Sequence, residues 1–302
     1  MKKIVVIFGF ILAMCFIVSC SGGREQNISN NPTTEPTQPV EELDESLTSI
    51  ILDIEDIEND YFTAFNVYPL PNIYKVYSTL DDSYCEGDRV EVFYETLTNT
   101  GENTYELTAV SIKKSDFELE EGVVYKPVIY LYPTKPTKVT VTLDYAGELL
   151  VTEPQYENEW SVIAYPDGKL VDELGHTYPY LFWEGKNDVD YDMSKGFCIA
   201  GSETEQFLQD KLSFMGLNEK EISEFIEFWI PFMKKNPYNL ITFQTTQYTE
   251  QAKLTISPQP DSILRIFMVF QPLDHAIKIE EQELSTFERN GFAVIEWGGE
   301  RK

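Results

Sequence analysis

The chain predicts an α+β protein in which a small all-β barrel precedes a β-sandwich or open-barrel domain carrying an αα-hairpin. Three observations predict it: five short period-two segments within about 70 residues, a second β-rich stretch after residue 123, and two helical stripes between residues 202 and 231. At 302 residues, with 42% hydrophobic and 14% aromatic side chains, the chain is long enough for about two packed cores.

The first 19 residues predict a signal peptide. Lys2 and Lys3 form its positive end, Ile4 to Val18 is an unbroken apolar core, and small Ser19 precedes Cys20. Roughly 15 apolar residues is short for a membrane span. Ile17 Val18 Ser19 Cys20 resembles a lipobox. That resemblance implies diacylglyceryl transfer to the Cys20 thiol and cleavage before it. Each buried methylene contributes about 0.8 kcal/mol, and stable anchoring needs more than one acyl chain, which diacylation supplies. The expectation is a lipid-anchored protein on the extracytoplasmic face of the cell membrane, its bilayer contact made through Cys20.

Residues 20–45 are rich in Ser, Asn, Thr, Pro, Gly and Glu, too polar to bury a core, and read as a tether. About 25 such residues have a root-mean-square span of roughly 25–30 Å.

Residues 46–119 predict strands at 49–54, 61–67, 73–78, 89–94 and 105–112, with 99–103 as a loop. Arg89 to Val92 follows the turn at Gly87 Asp88 and alternates apolar with polar. Cys85 Glu86 Gly87 Asp88 Arg89 Val90, with this layout, resembles small OB-like domains of Firmicute lipoproteins.

Residues 123–302 begin as β structure, with strands predicted at 128–132, 138–144, 148–152, 160–165, 180–183 and 197–200. Ser202 with Glu205 reads as a capping box before a helix bearing Phe207, Leu208, Leu212 and Met215, closed by Gly216. Asn218 with Glu221 opens a second helix with Ile222, Phe225, Ile226 and Trp229 on one stripe, bent or stopped at Pro231. Strands then resume at 240–244, 253–256, 265–270 and 292–297. Lys126 Pro127 Val128 Ile129 Tyr130 Leu131 Tyr132 Pro133, Tyr180 to Gly185, and the closing Glu296 Trp297 Gly298 Gly299 together resemble a family of uncharacterised bacterial surface lipoproteins. The resemblance implies no residue role.

Charge narrows the partners. The formal net charge is −28, and signal removal would make it two units more negative. No basic cluster exists to neutralise phosphates, so nucleic acid is excluded as a partner. A wall glycan or an envelope protein remains, and the chain reads as a binding protein more than an enzyme.

Four constellations bear chemistry. Glu184 and Glu296 each sit beside an indole at a strand end; a glycan hydrolase needs two carboxylates flanking a sugar, about 5–10 Å apart. Tyr130, Tyr132, Trp183 and Trp297, with Arg265, offer rings and one cation for a ligand platform. Asp188, Asp190 and Asp192 alternate, as Ca²⁺ ligands could, although Met193 stands where an EF-hand requires Gly. Cys198 with His176 is the remaining nucleophile–base pairing. Beyond the signal and Cys20, only Cys85 and Cys198 remain; the reading favours two buried free thiols over a disulfide. Neither HExxH nor GxSxG occurs.

Overall fold

The computed structural model describes residues 47–66, 72–101, 103–115 and 117–302. The signal peptide, Cys20 and the tether lie outside the described residues. The protein is α+β and divides into two compact units, each considered by itself.

The first unit is a closed five-stranded barrel of β1 (Thr48–Ile57), β2 (Tyr61–Asn66), β3 (Asn72–Tyr77), β4 (Arg89–Gly101) and β5 (Thr104–Lys114). Its order is β1-β2-β3-β5-β4, with β3 and β5 parallel and β4 closing onto β1. This is an OB-like closure, which removes free sheet edges. Alternation fills the barrel: Leu52, Ile54, Phe62, Ala64, Tyr74, Val76, Val90 and Val92 point inward. Arg89 grips Asp53 with two hydrogen bonds of 2.8 Å at the β1–β4 junction. The predicted loop at 99–103 is shorter than expected, because β4 pairs with β5 as far as Gly101. Cys85 is free but exposed, not buried as the sequence suggested; it belongs to the polar turn before β4, outside the apolar barrel.

The second unit is a two-sheet sandwich with a helical hairpin against one outer face. Its strands are β6 (Val123–Tyr132), β7 (Thr137–Tyr145), β8 (Glu148–Glu153), β9 (Trp160–Ala164), β10 (Leu170–Val171), β11 (Thr177–Tyr178), β12 (Leu181–Lys186), β13 (Phe197–Ala200), β14 (Tyr238–Phe243), β15 (Ala252–Ser257), β16 (Ser262–Leu273) and β17 (Ala293–Arg301). The helices are α1 (Thr204–Met215), α2 (Glu219–Met233) and α3 (Thr245–Gln251). One sheet runs β11-β10-β9-β7-β15; the other runs β13-β14-β16-β17-β6-β12-β8. Val139, Val141, Trp160 and Val162 of the first pack on Ile129, Leu131, Trp183, Phe267 and Val294 of the second.

The opposite face of the larger sheet is covered by α2, whose Phe225 ring lies 5.1 Å from Trp297 and whose Trp229 ring lies 5.9 Å from Phe270. Since β6 and β17 are covered on both sides, nearly all of their residues are buried, the charged Lys126, Glu296 and Glu300 among them. The Asn218–Glu221 capping box is present in full. Ser202 does not cap α1: it lies inside a 3-10 turn, Gly201–Glu203, and Glu203 precedes the helix without a side-chain cap. Pro231 does not stop α2, which runs on to Met233; the ring removes the amide that would have donated to the Glu227 carbonyl, but only two residues of helix follow it.

Candidate functional site

The three most distinctive sequence segments occupy three neighbouring strands. β6 carries residues 126–132, β12 carries 181–185 and β17 carries 296–299, in the order β17-β6-β12. Strand alternation sends successive side chains to opposite faces, so each segment contributes to two separate polar clusters.

On the sandwich face, Glu296 is fully buried and ion-paired with Arg265. It also accepts hydrogen bonds from the Tyr248 hydroxyl at 2.9 Å and the Trp183 indole at 3.4 Å. The Arg265 guanidinium lies 4.9 Å from the Tyr248 ring centroid. Tyr248 arrives on α3 and stacks on Phe267 at 4.2 Å. A buried charge in this setting is held by its partners, since losing any one leaves desolvation uncompensated.

On the helix-covered face, Lys126 is 2% exposed and adopts φ +59° immediately before Pro127. Left-handed backbone at a non-glycine residue is uncommon and costs energy. The Lys126 amide donates to Glu184 Oε1 at 3.0 Å, and its Nζ donates to the Tyr180 hydroxyl at 3.0 Å. Nζ lies 5.1 and 5.2 Å from the Tyr180 and Phe182 rings. Burial lowers the Lys126 ammonium to about 7, against the opposing pull of Glu184, Glu224 and Glu227. Tyr130 donates to Glu224 on α2, whose own pKa burial raises. The site therefore holds a strained lysine poised between charged and neutral near neutral pH.

Glu184 and Glu296 do not form a catalytic pair. Both are buried, 3% and 0% exposed, and they face opposite sides of one sheet, so no sugar fits between them. Tyr130, Trp183 and Trp297 are fully buried and Arg265 is committed to Glu296, which removes them from any surface platform. Tyr132 is partly buried, stacked on Tyr130 at 6.0 Å with Arg289 over its ring at 5.6 Å.

Asp188, Asp190 and Asp192 do not converge: Asp190 pairs with Lys302, while Asp192 accepts from the Ser194 amide at 2.9 Å. Among the described residues no group of three or more His, Cys, Asp or Glu side chains is arranged to hold a metal ion. His176 pairs with Asp172 at 2.9 Å, and Cys198, also free, accepts from the Ile277 amide at 3.4 Å; they make no nucleophile–base pair.

Two residues escaped sequence reasoning. Lys126 interrupts an otherwise apolar strand just before a proline, a signal available in the sequence. Glu300, 4% exposed and raised by burial to about 8, had no signal beyond following two glycines.

No family model matches the chain, and no solved structure matches it. A segment of 71 residues, 22% of this chain and 73% of the relative, is 46% identical to an uncharacterised protein encoded in the bglA 3′ region of Butyrivibrio fibrisolvens. The chain belongs to the family of that protein.

Proposed function

We propose that this chain is an extracytoplasmic lipoprotein, anchored to the cell membrane through Cys20, whose folded units bind a wall glycan or an envelope protein without cleaving it. The observation that carries the reading is the N-terminal succession of Lys2, Lys3, an apolar run to Val18, Ser19 and Cys20. The family resembled by residues 126–133 and 296–299 is one of surface lipoproteins, in keeping with such an anchor. The net charge of −28 favours a neutral or cationic partner over acidic headgroups or nucleic acid. The burial of Glu184 and Glu296 on opposite faces supports binding over hydrolysis, since two-carboxylate chemistry needs both groups on one substrate.

The test is Cys20→Ser in cells fed labelled palmitate, followed by membrane fractionation. Wild-type protein is expected in the membrane fraction with label, and the variant without label, released or unprocessed. A processed, labelled, membrane-retained variant would overturn the anchor. Retention of the purified protein on envelope fractions from a strain lacking it tests binding, and failure on every wall and membrane fraction would overturn that half.

A further inference from the structure

The sandwich interior contains a second buried carboxylate, and this one has no cation. Glu300 lies on β17 beyond the bulge at Trp297–Gly299. It faces Tyr145 and Tyr191, whose phenols both feel its charge. Lys302, the nearby cation, is bound to Asp190 and to the Tyr191 carbonyl, while Arg301 holds Glu118 and the Leu119 carbonyl. The Gly122 amide donates to the Glu300 carboxylate, yet Glu300 Oε2 is buried with no partner. Tyr191 Oη, in a side chain 2% exposed, is likewise buried and unpartnered.

The Asn187 side chain lies beside both phenols. It donates to Tyr145 Oη at 2.9 Å and accepts from the Val189 amide at 3.0 Å. Native proteins leave few buried polar atoms unsatisfied, and each calls for an explanation. Two in one neighbourhood point to an occupant. Asn187 also lines a cavity of about 700 Å³ together with Gly147, Lys186 and Gln251.

We propose that Glu300, Tyr191 and Tyr145 form a binding site for a monovalent cation. The donors are all oxygens, and one carboxylate neutralises one positive charge. Calcium takes 6–8 oxygens and is tuned by carboxylate count, which a single glutamate does not supply. In the absence of an ion, burial without counter-charge raises Glu300 to about 8, so proton and cation compete for the same carboxylate. Of the other charged groups acting on it, Lys302 favours its ionisation and Glu121 opposes it; burial pushes both phenols up, which keeps them neutral. Occupancy therefore rises with pH.

The full chain is melted in potassium, sodium and choline chloride at equal ionic strength, at pH 6 and pH 8.5. Potassium or sodium is expected to raise the melting temperature by several degrees over choline at pH 8.5, and by less at pH 6. Glu300→Gln abolishes that difference and Tyr191→Phe reduces it. Where Glu300→Gln fails to fold by circular dichroism, Tyr191→Phe, which removes one oxygen, decides alone. Identical melting in all three salts, or variants that respond as the wild type does, would overturn the proposal and leave an internal water as the occupant. The outcome does not depend on the Cys20 anchor, so either reading can fail without the other.

Discussion

Glu184 and Glu296 stand on the two strands that flank β6 and point to opposite faces of the sheet, one towards Lys126 beneath α2, the other towards Arg265 in the sandwich interior. The shared Glu–Trp signature thus marks two separate anchoring points in the core. Glu296→Ala should destabilise the fold by about 3–5 kcal/mol, because it leaves Arg265 buried and unpaired. Adding Arg265→Met should recover much of the loss. Urea denaturation of both single variants and the double variant measures the coupling, and simple additivity would show that the pair does not act as a unit.

Stability should pass through a minimum between two pH windows of opposite slope. Glu300, raised to about 8, holds in the folded state a proton that the unfolded chain has released above its ordinary value near 4.5, so stability falls as pH rises across that window. Lys126, lowered to about 7, has released a proton that the unfolded chain keeps up to about 10.5, so stability rises across that higher window. Each slope is at most about 1.4 kcal/mol per pH unit. Glu300→Gln should flatten the acid limb and Lys126→Met the alkaline limb, read from denaturant midpoints across pH 5–10.

Gly299 is needed for close approach. A methyl group there would press on the Met268 carbonyl and on the Trp229 indole. Gly299→Ala should cost about 1–3 kcal/mol, the range for overpacking a tight core. Gly185→Ala, crowding Tyr145 and the Glu148 carbonyl, should cost a similar amount. Thermal melts check both, and a neutral result at either would show that the neighbouring backbone can give way.

The start of α2 offers a graded series. Asn218→Ala removes the oxygen that accepts from the Glu221 amide at 3.0 Å and should cost about 1 kcal/mol. Glu221→Ala should cost more, since it also strips Arg289 and the Asn218 amide of their partner. Arg289→Ala separates the ion pair from the cap. An order of effects with Asn218→Ala the largest would place the weight on the cap alone.

Where apolar period and turn chemistry agreed, the sequence predicted structure well. The barrel strands follow alternation in segments such as Arg89 to Val92, and the opening of α2 follows its reciprocal cap. Where a motif satisfied only the local pattern, tertiary contacts decided: Thr204 Oγ1 donates to the Ala200 carbonyl at 3.1 Å, which ties down the turn in which Ser202 sits. Helix α3 was invisible because Thr245–Gln251 has no apolar stripe, and only Tyr248 of its residues is buried. The polar clusters were the least legible, because the partners of Glu296 lie 31, 48 and 113 residues away. No local rule links such positions, and residues that look like a ligand platform in sequence proved to be core.

The larger sheet is built around its last strand in chain order. β17 sits at the centre, parallel to β16 on one side and antiparallel to β6 on the other. Until residues 293–301 arrive, β13-β14-β16 and β6-β12-β8 are two unconnected half-sheets, each with an apolar edge open. Such long-range closure makes for slow folding and leaves those edges exposed to wrong partners in the interval. The larger sheet therefore becomes one continuous layer only when β17 is seated between β16 and β6.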